Sequence, residues 1–385
     1  MKAIKTLTIL AIAFTAIAFF NIKASALELS LTVNANGKVF EFYGEEIGVY
    51  KGRYYLKCID GVIDGIYYDT LTPPVNATVS FKGGVSPQFT YTSEKNGYGI
   101  DKQKLKKDID FALNGGNLNA CAEFIKIPPE TTKKDLEKCS FLRATFKTDY
   151  TLSSENRKHN IKLATSKING TILSSGQAFS FNQIVGERTE QNGFKNAVVI
   201  ENGEYVNGVG GGVCQVSTTL YNCALLSGLK TTERHAHTLL PTYVEPSFDA
   251  MVLDRFCDLK FLNDSGGTVF ISAYTQGDSV CFSIYGLKPV YSYELSHVIL
   301  SETPPPTPET TFDSELFEGQ TVIIKTPKNA VKSEGYIKTL LNGKVIKSVK
   351  LHTDNYKSVQ GKIKIGVKKR EQEITGDNLI DKLAV

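Results

Sequence analysis

Through most of the first hundred positions, apolar and polar residues alternate, which predicts antiparallel strands over residues 27–44, 54–71, 75–84 and 88–97. Asn-Gly, Asp-Gly and Gly-Gly pairs punctuate these runs as tight turns. The period then changes. Ile100, Leu105, Ile109 and Leu113 fall at helical spacing, Gly115-Gly116 stops the run, and Thr131-Thr132 precedes a short helix. A second unit begins near Phe141, where Ser153 and Ser154 are candidate N-caps for a helix burying Ile161, Leu163, Ala164 and Ile168 and ending at Asn169-Gly170. Residues 178–186 and 197–212 read as strands. Residues 214–228 read as a helix with Val216, Leu220, Cys223, Ala224 and Leu226 on one side, and 268–286 as a hairpin closing the unit near Leu287.

Residues 303–310, with four prolines among eight positions, predict an extended spacer. Short alternating strands follow over 315–369, with Leu341-Asn342-Gly343-Lys344 as a hairpin signal. The expected fold class is therefore α+β and multidomain. A small α+β domain occupies 27–138, an α+β domain with a cysteine at a helix N-terminus occupies 142–287, and a β-rich module occupies 315–369.

Composition changes this picture in two places. Lys2 and Lys5 precede an uncharged apolar run over residues 6–20, and Ala24-Ser25-Ala26 follows it, the layout of a cleaved secretory signal over 1–26. Export to the cell envelope is the consequence, with an uncleaved N-terminal anchor as the alternative. Removing that segment with Lys2, Lys5 and Lys23 lowers the net charge from +4 to +1, which leaves no basic field for nucleic acid.

The chemistry gathers around one of the seven cysteines. No C-x-x-C pair occurs, which argues against zinc ribbons and thioredoxin-type redox motifs. Cys214 and Cys223, if on one helix, are about 13 Å apart, too far for a disulfide. Cys214 follows Gly210, Gly211 and Gly212 and opens the apolar-periodic helix. Unpaired N–H groups and the helix dipole there favour a thiolate, and the glycines allow a substrate close approach to the backbone. His235 or His237 would take the thiol proton, and Asp249 or Glu245 would orient the imidazole. Two other readings stay open: Cys214 as a packing residue between helix and sheet, and the His-x-His pair as metal ligands, although no further ligands stand at a recognisable spacing.

The runs over residues 156–170, 176–203, 208–229 and 233–252, with the glycine–cysteine block followed by the histidine block, resemble the VanW domain throughout about residues 142–287. The resemblance implies a cysteine-dependent L,D-transpeptidase acting on peptidoglycan stem peptides in the cell wall, with no metal or organic cofactor. It implies Cys214 as nucleophile and His237 as base, with His235 as second choice and Asp249 beside them. Gly210, Gly211, Gly212, Gln215, Arg234, Arg157 and Asn160 are the implied substrate-binding positions. Residues 90–138 are similar to a peptidoglycan-binding domain, and 315–369 resemble a G5 domain, though poorer in glycine. A non-catalytic wall-binding protein and a cysteine peptidase or amidase that cuts stems are the alternatives.

Overall fold

The computed structural model describes residues 29–201 and 204–369. The segment read as a secretory signal lies outside them. Among the described residues no helix is long and apolar enough to cross a membrane. The architecture is mixed α and β, rich in strand and divided into two compact units.

The first unit takes in residues up to Thr78 and Tyr91–Lys133. Strand Ser30–Ala35 pairs antiparallel with Lys38–Tyr43 and parallel with Asn119–Cys121. Helix Lys102–Gly115 is capped by Asp101, whose side chain accepts from the Lys104 N–H at 2.9 Å, and it stops at Gly116 with φ 78°. Its Leu105, Ile109, Ala112 and Leu113 enter a core with Leu31, Val33 and Ile63. One expected strand is a helix instead. Residues Ile59–Thr70 are helical and bury Ile63, Ile66 and Thr70, at spacings of three and four. The two Asp-Gly pairs taken as turns lie on this helix's outer face, where Gly61 and Gly65 meet open space. Each glycine costs the helix about 1 kcal/mol relative to alanine, and burial of the isoleucines offsets it.

The second unit comprises Val79–Thr90 and the described residues from Lys134 on. The expected boundary at 138 therefore misplaces a hairpin: Phe81 and Phe89 pack on Phe270 and Tyr285, with ring centroids 5.1–6.3 Å apart. The unit's central sheet is antiparallel, in the order Phe141–Asp149, Ser279–Gly286, Val269–Gln276, Thr171–Leu173. Helices Glu155–Ile168 and Val213–Leu226 pack on this sheet and on each other. Ser154 caps the first of them. Residues 178–186, expected as one strand, split into strand Ala178–Ser180 and helix Phe181–Val185, because the Ser180 hydroxyl caps the turn at the Gln183 N–H.

The C-terminal strands form two three-stranded sheets. Strand Ser292–Thr303 pairs with Ala330–Leu341, which pairs with Lys344–Tyr356 through a turn at Asn342 (φ 51°) and Gly343 (φ 76°). This β module thus begins at 292, and the proline-rich stretch expected as a spacer joins two of its own strands.

Candidate active site

Helix Val213–Leu226 is buried on nearly all sides, and its polar residues decide what faces the cysteine. The Ser217 hydroxyl donates to the Ala250 carbonyl at 2.6 Å, the Ala250 N–H donates to Thr218 Oγ1 at 2.9 Å, and Asn222 Nδ2 donates to the Phe248 carbonyl at 2.7 Å. These bonds fasten residues 248–250 along the helix. An antiparallel bridge between His235 and Met251 then sets His237 opposite Asp249.

The resulting geometry is a relay. Asp249 is fully buried, and its Oδ2 accepts from the His237 backbone N–H at 2.7 Å and from Nδ1 at 2.6 Å. With Nδ1 so engaged, the other ring nitrogen is left for the Cys214 thiol, with which the imidazole interacts directly. Cys214 Sγ also lies 3.4 Å from the Val252 carbonyl. Burial opposes both charges, yet the mutual hydrogen bond and attraction prevail. The thiol is held below its ordinary range and the imidazole is raised to about 9, supported by Asp249. Cys223, nine residues along the same helix, has no such partner, and burial pushes its thiol to about 12. None of the seven cysteines is in a disulfide.

The glycines make this close approach possible. A Cβ on Gly211 would sit 2.5 Å from the Val198 carbonyl oxygen, and one on Gly212 (φ 105°) would sit 2.9 Å from Arg157 Cγ. Gly210 (φ 88°) faces Arg188 in the same way. Gly211→Ala is accordingly expected to destabilise the protein by about 1–3 kcal/mol and to disturb the Cys214 turn, because backbone must move to admit the methyl group. A urea-denaturation midpoint checks this.

The positions expected to bind substrate make internal hydrogen bonds that brace the site. Asn160 donates to the Lys195 and Gly211 carbonyls at 2.8 and 3.0 Å and accepts from the Lys195 N–H, which pins the glycine loop. Gln215 donates to Thr148 Oγ1 and the Asp149 carbonyl, and accepts from Arg157 Nη2 at 2.8 Å. Arg234 donates to the Asp249 carbonyl, to Asp249 Oδ1 at 2.8 Å and to Asp354 Oδ1 at 2.7 Å. Arg157 keeps its positive charge near Cys214 although burial disfavours it. His235, the second candidate base, is not at the thiol: its Nε2 lies 3.1 Å from Glu233, and it is partly exposed. Glu245 is exposed, leaving Asp249 as the orienting carboxylate.

Several residues at the site escaped the sequence reading. Arg188, paired with Asp254, and Tyr243 both act electrostatically on Cys214. Tyr356 donates to Asp249 Oδ1 at 2.7 Å, and Asp354 completes the Arg234 bridge. The signal for the last two was a period-two polar stripe, His352-x-Asp354-x-Tyr356, on one face of a strand.

Comparison with known proteins places the chain in a family. A family model described as VanW like protein matches residues 156–285, and one for a peptidoglycan binding domain matches residues 22–120, earlier than the 90–138 stretch of the sequence reading. The uncharacterized protein YoaR of Bacillus subtilis is 32% identical over 214 residues, which cover 55% of this chain and 69% of YoaR. The Vancomycin B-type resistance protein VanW of Enterococcus faecalis is 28% identical over 140 residues, 35% of this chain and 50% of that protein. Two solved G5 domains, from HP0197 and IgA1 protease, align with 20% and 21% of the chain at 19% and 18% identity, with TM-scores of 0.12 and 0.14. The chain belongs to the VanW family, and its peptidoglycan-binding match associates it with the cell wall.

Proposed function

We propose that the protein is an exported cysteine L,D-transpeptidase that crosslinks peptidoglycan stems. The observation carrying this reading is the buried Cys214–His237–Asp249 relay at the N-terminus of a helix. The Cys214 thiolate attacks the carbonyl of the third stem residue, a diaminopimelate. The bond to the terminal D-alanine breaks as His237 protonates the departing amine, and a thioester remains on Cys214. The side-chain amine of a diaminopimelate on a neighbouring stem then attacks the thioester, gives up a proton to His237 and regenerates the thiolate. The backbone N–H of Cys214, at the start of the helix, is the candidate donor to the oxyanion in both steps. Water in place of the amine would release a shortened stem by the same chemistry.

The test is to incubate the folded protein with a diaminopimelate tetrapeptide muropeptide and read the products by mass spectrometry. A dimer formed with loss of D-alanine supports the transpeptidase. Shortened stems without dimers make it a carboxypeptidase. Neither product and no acyl-enzyme would leave a wall-binding protein.

The relay also sets a pH dependence. Activity is expected to rise as Cys214 ionises, below the ordinary thiol range, and to fall as His237 loses its proton near pH 9, since the leaving amine then lacks its acid. A pH series of D-alanine release checks both limbs.

A further inference from the structure

The Asp249 carboxylate receives four hydrogen bonds, and one comes from a module more than a hundred residues further along the chain. The Tyr356 hydroxyl donates to Asp249 Oδ1 at 2.7 Å while accepting from the Ser247 N–H at 2.8 Å, and both contacts are buried. Ser247 has φ 67°, a left-handed conformation, and its hydroxyl lies 2.7 Å from that of Ser333 on the neighbouring strand. Asp354, two residues before Tyr356, takes the second arm of Arg234, whose first arm holds Asp249. His352, two residues earlier again, has Nε2 3.0 Å from the Tyr221 hydroxyl on the Cys214 helix. Its Nδ1 lies 2.9 Å from Asp354 Oδ2, at angles short of a hydrogen bond.

We propose that Tyr356, with Asp354 behind it, is a positioning residue of the Cys214 site, so that the module from 292 on is part of that site and not only an appended wall-binding unit. A buried carboxylate must have its lone pairs satisfied to stay ionised, and its orientation fixes which imidazole nitrogen faces the thiol. Three of the four donors come from Arg234 and His237, on the segment paired with Asp249's own. Tyr356 alone is supplied from outside the family-matched region, 156–285. Without its hydroxyl, Oδ1 keeps only Arg234, ionised Asp249 becomes costlier, and the imidazolium opposite Cys214 is less well supported. Asp354 acts by holding one arm of Arg234, which fixes where the other arm meets Asp249.

The inference rests on the Cys214–His237 pairing proposed above, and one experiment separates the two. Cys214 alkylation by iodoacetamide is followed across a pH series by peptide mass spectrometry, which distinguishes it from the other six cysteines. The groups facing the relay are Arg157, Arg188, Tyr243 and Cys257 around the thiol, with Arg234, Tyr221 and Tyr356 around Asp249. All remain in place in the control. In the unaltered protein, labelling at a pH below the ordinary thiol range supports the pairing, and an ordinary thiol profile overturns it. Given that pairing, Tyr356→Phe is expected to move the midpoint up by about one pH unit, with labelling on the rising limb about tenfold slower. Tyr336→Phe removes a hydroxyl from the same sheet that bonds only Glu334, and should leave the profile unchanged. A wild-type profile in folded Tyr356→Phe protein would overturn the positioning role while leaving the Cys214–His237 pairing intact.

Discussion

Cys214→Ala is expected to abolish the acyl-enzyme and lower D-alanine release by about 10⁴-fold or more, with the fold intact. The Cys214 sulfur is the thiol paired with His237, whereas the nearby Cys257 thiol is pushed up by burial and is the weaker nucleophile. The stability change should be small, within about 1 kcal/mol, because removing one sulfur atom from a partly buried position leaves little cavity. This pairing of outcomes separates the readings of the cysteine. A packing residue would lose stability and keep product formation, whereas a nucleophile loses product and keeps stability. Cys214→Ser sharpens the result. Its hydroxyl is far harder to ionise than a thiol, so an imidazole near 9 cannot store the proton as a resting ion pair, and turnover should stay close to that of the alanine variant. Intact mass after exposure to tetrapeptide muropeptide, beside thermal denaturation of each variant, gives both readouts.

Legibility in the sequence followed sequence distance. The glycine loop, helix Val213–Leu226 and the hairpin of 269–286 could be read because each is specified by local periodicity and turn chemistry. Cys214, His237 and Asp249 lie within one short span, so their association needed only a helix followed by a returning segment. What the sequence hid were contacts with no local signature. Phe81 and Phe89 look like ordinary strand residues, and nothing near them says that they pack on Phe270. Helix Ile59–Thr70 was concealed by two Asp-Gly pairs whose turn preference tertiary burial overrode. Asn160, Gln215 and Arg234 stood out as polar residues near a nucleophile, a pattern that fits substrate recognition and internal bracing equally well. Their internal hydrogen bonds show the bracing. The period-two stripe could mark Tyr356, but not a partner 107 residues away.

Asp249→Asn is expected to lower turnover by about 10³–10⁴-fold while leaving Cys214 and His237 in place, a loss carried mainly by the imidazole's tautomer. As a carboxylate, Asp249 can only accept, so its Oδ2 requires the proton on His237 Nδ1 and frees the other nitrogen to act as base toward the thiol. An asparagine presents either an oxygen or an amide at that place. The Arg234 guanidinium and the Tyr356 hydroxyl both donate toward the Oδ1 position and draw the asparagine oxygen there. The amide nitrogen then faces His237, where it donates to Nδ1 and shifts the ring proton to the nitrogen that should receive the thiol's. It also opposes the His237 backbone N–H, which loses its acceptor. Stability should fall by about 3 kcal/mol, because Arg234 keeps Asp354 but loses one buried countercharge. The pH profile separates these effects. If Asp249 acts through the imidazole, the alkaline limb near 9 moves to lower pH in the variant, because the imidazolium has lost its carboxylate. An unmoved limb with reduced stability would assign Asp249 a structural role alone.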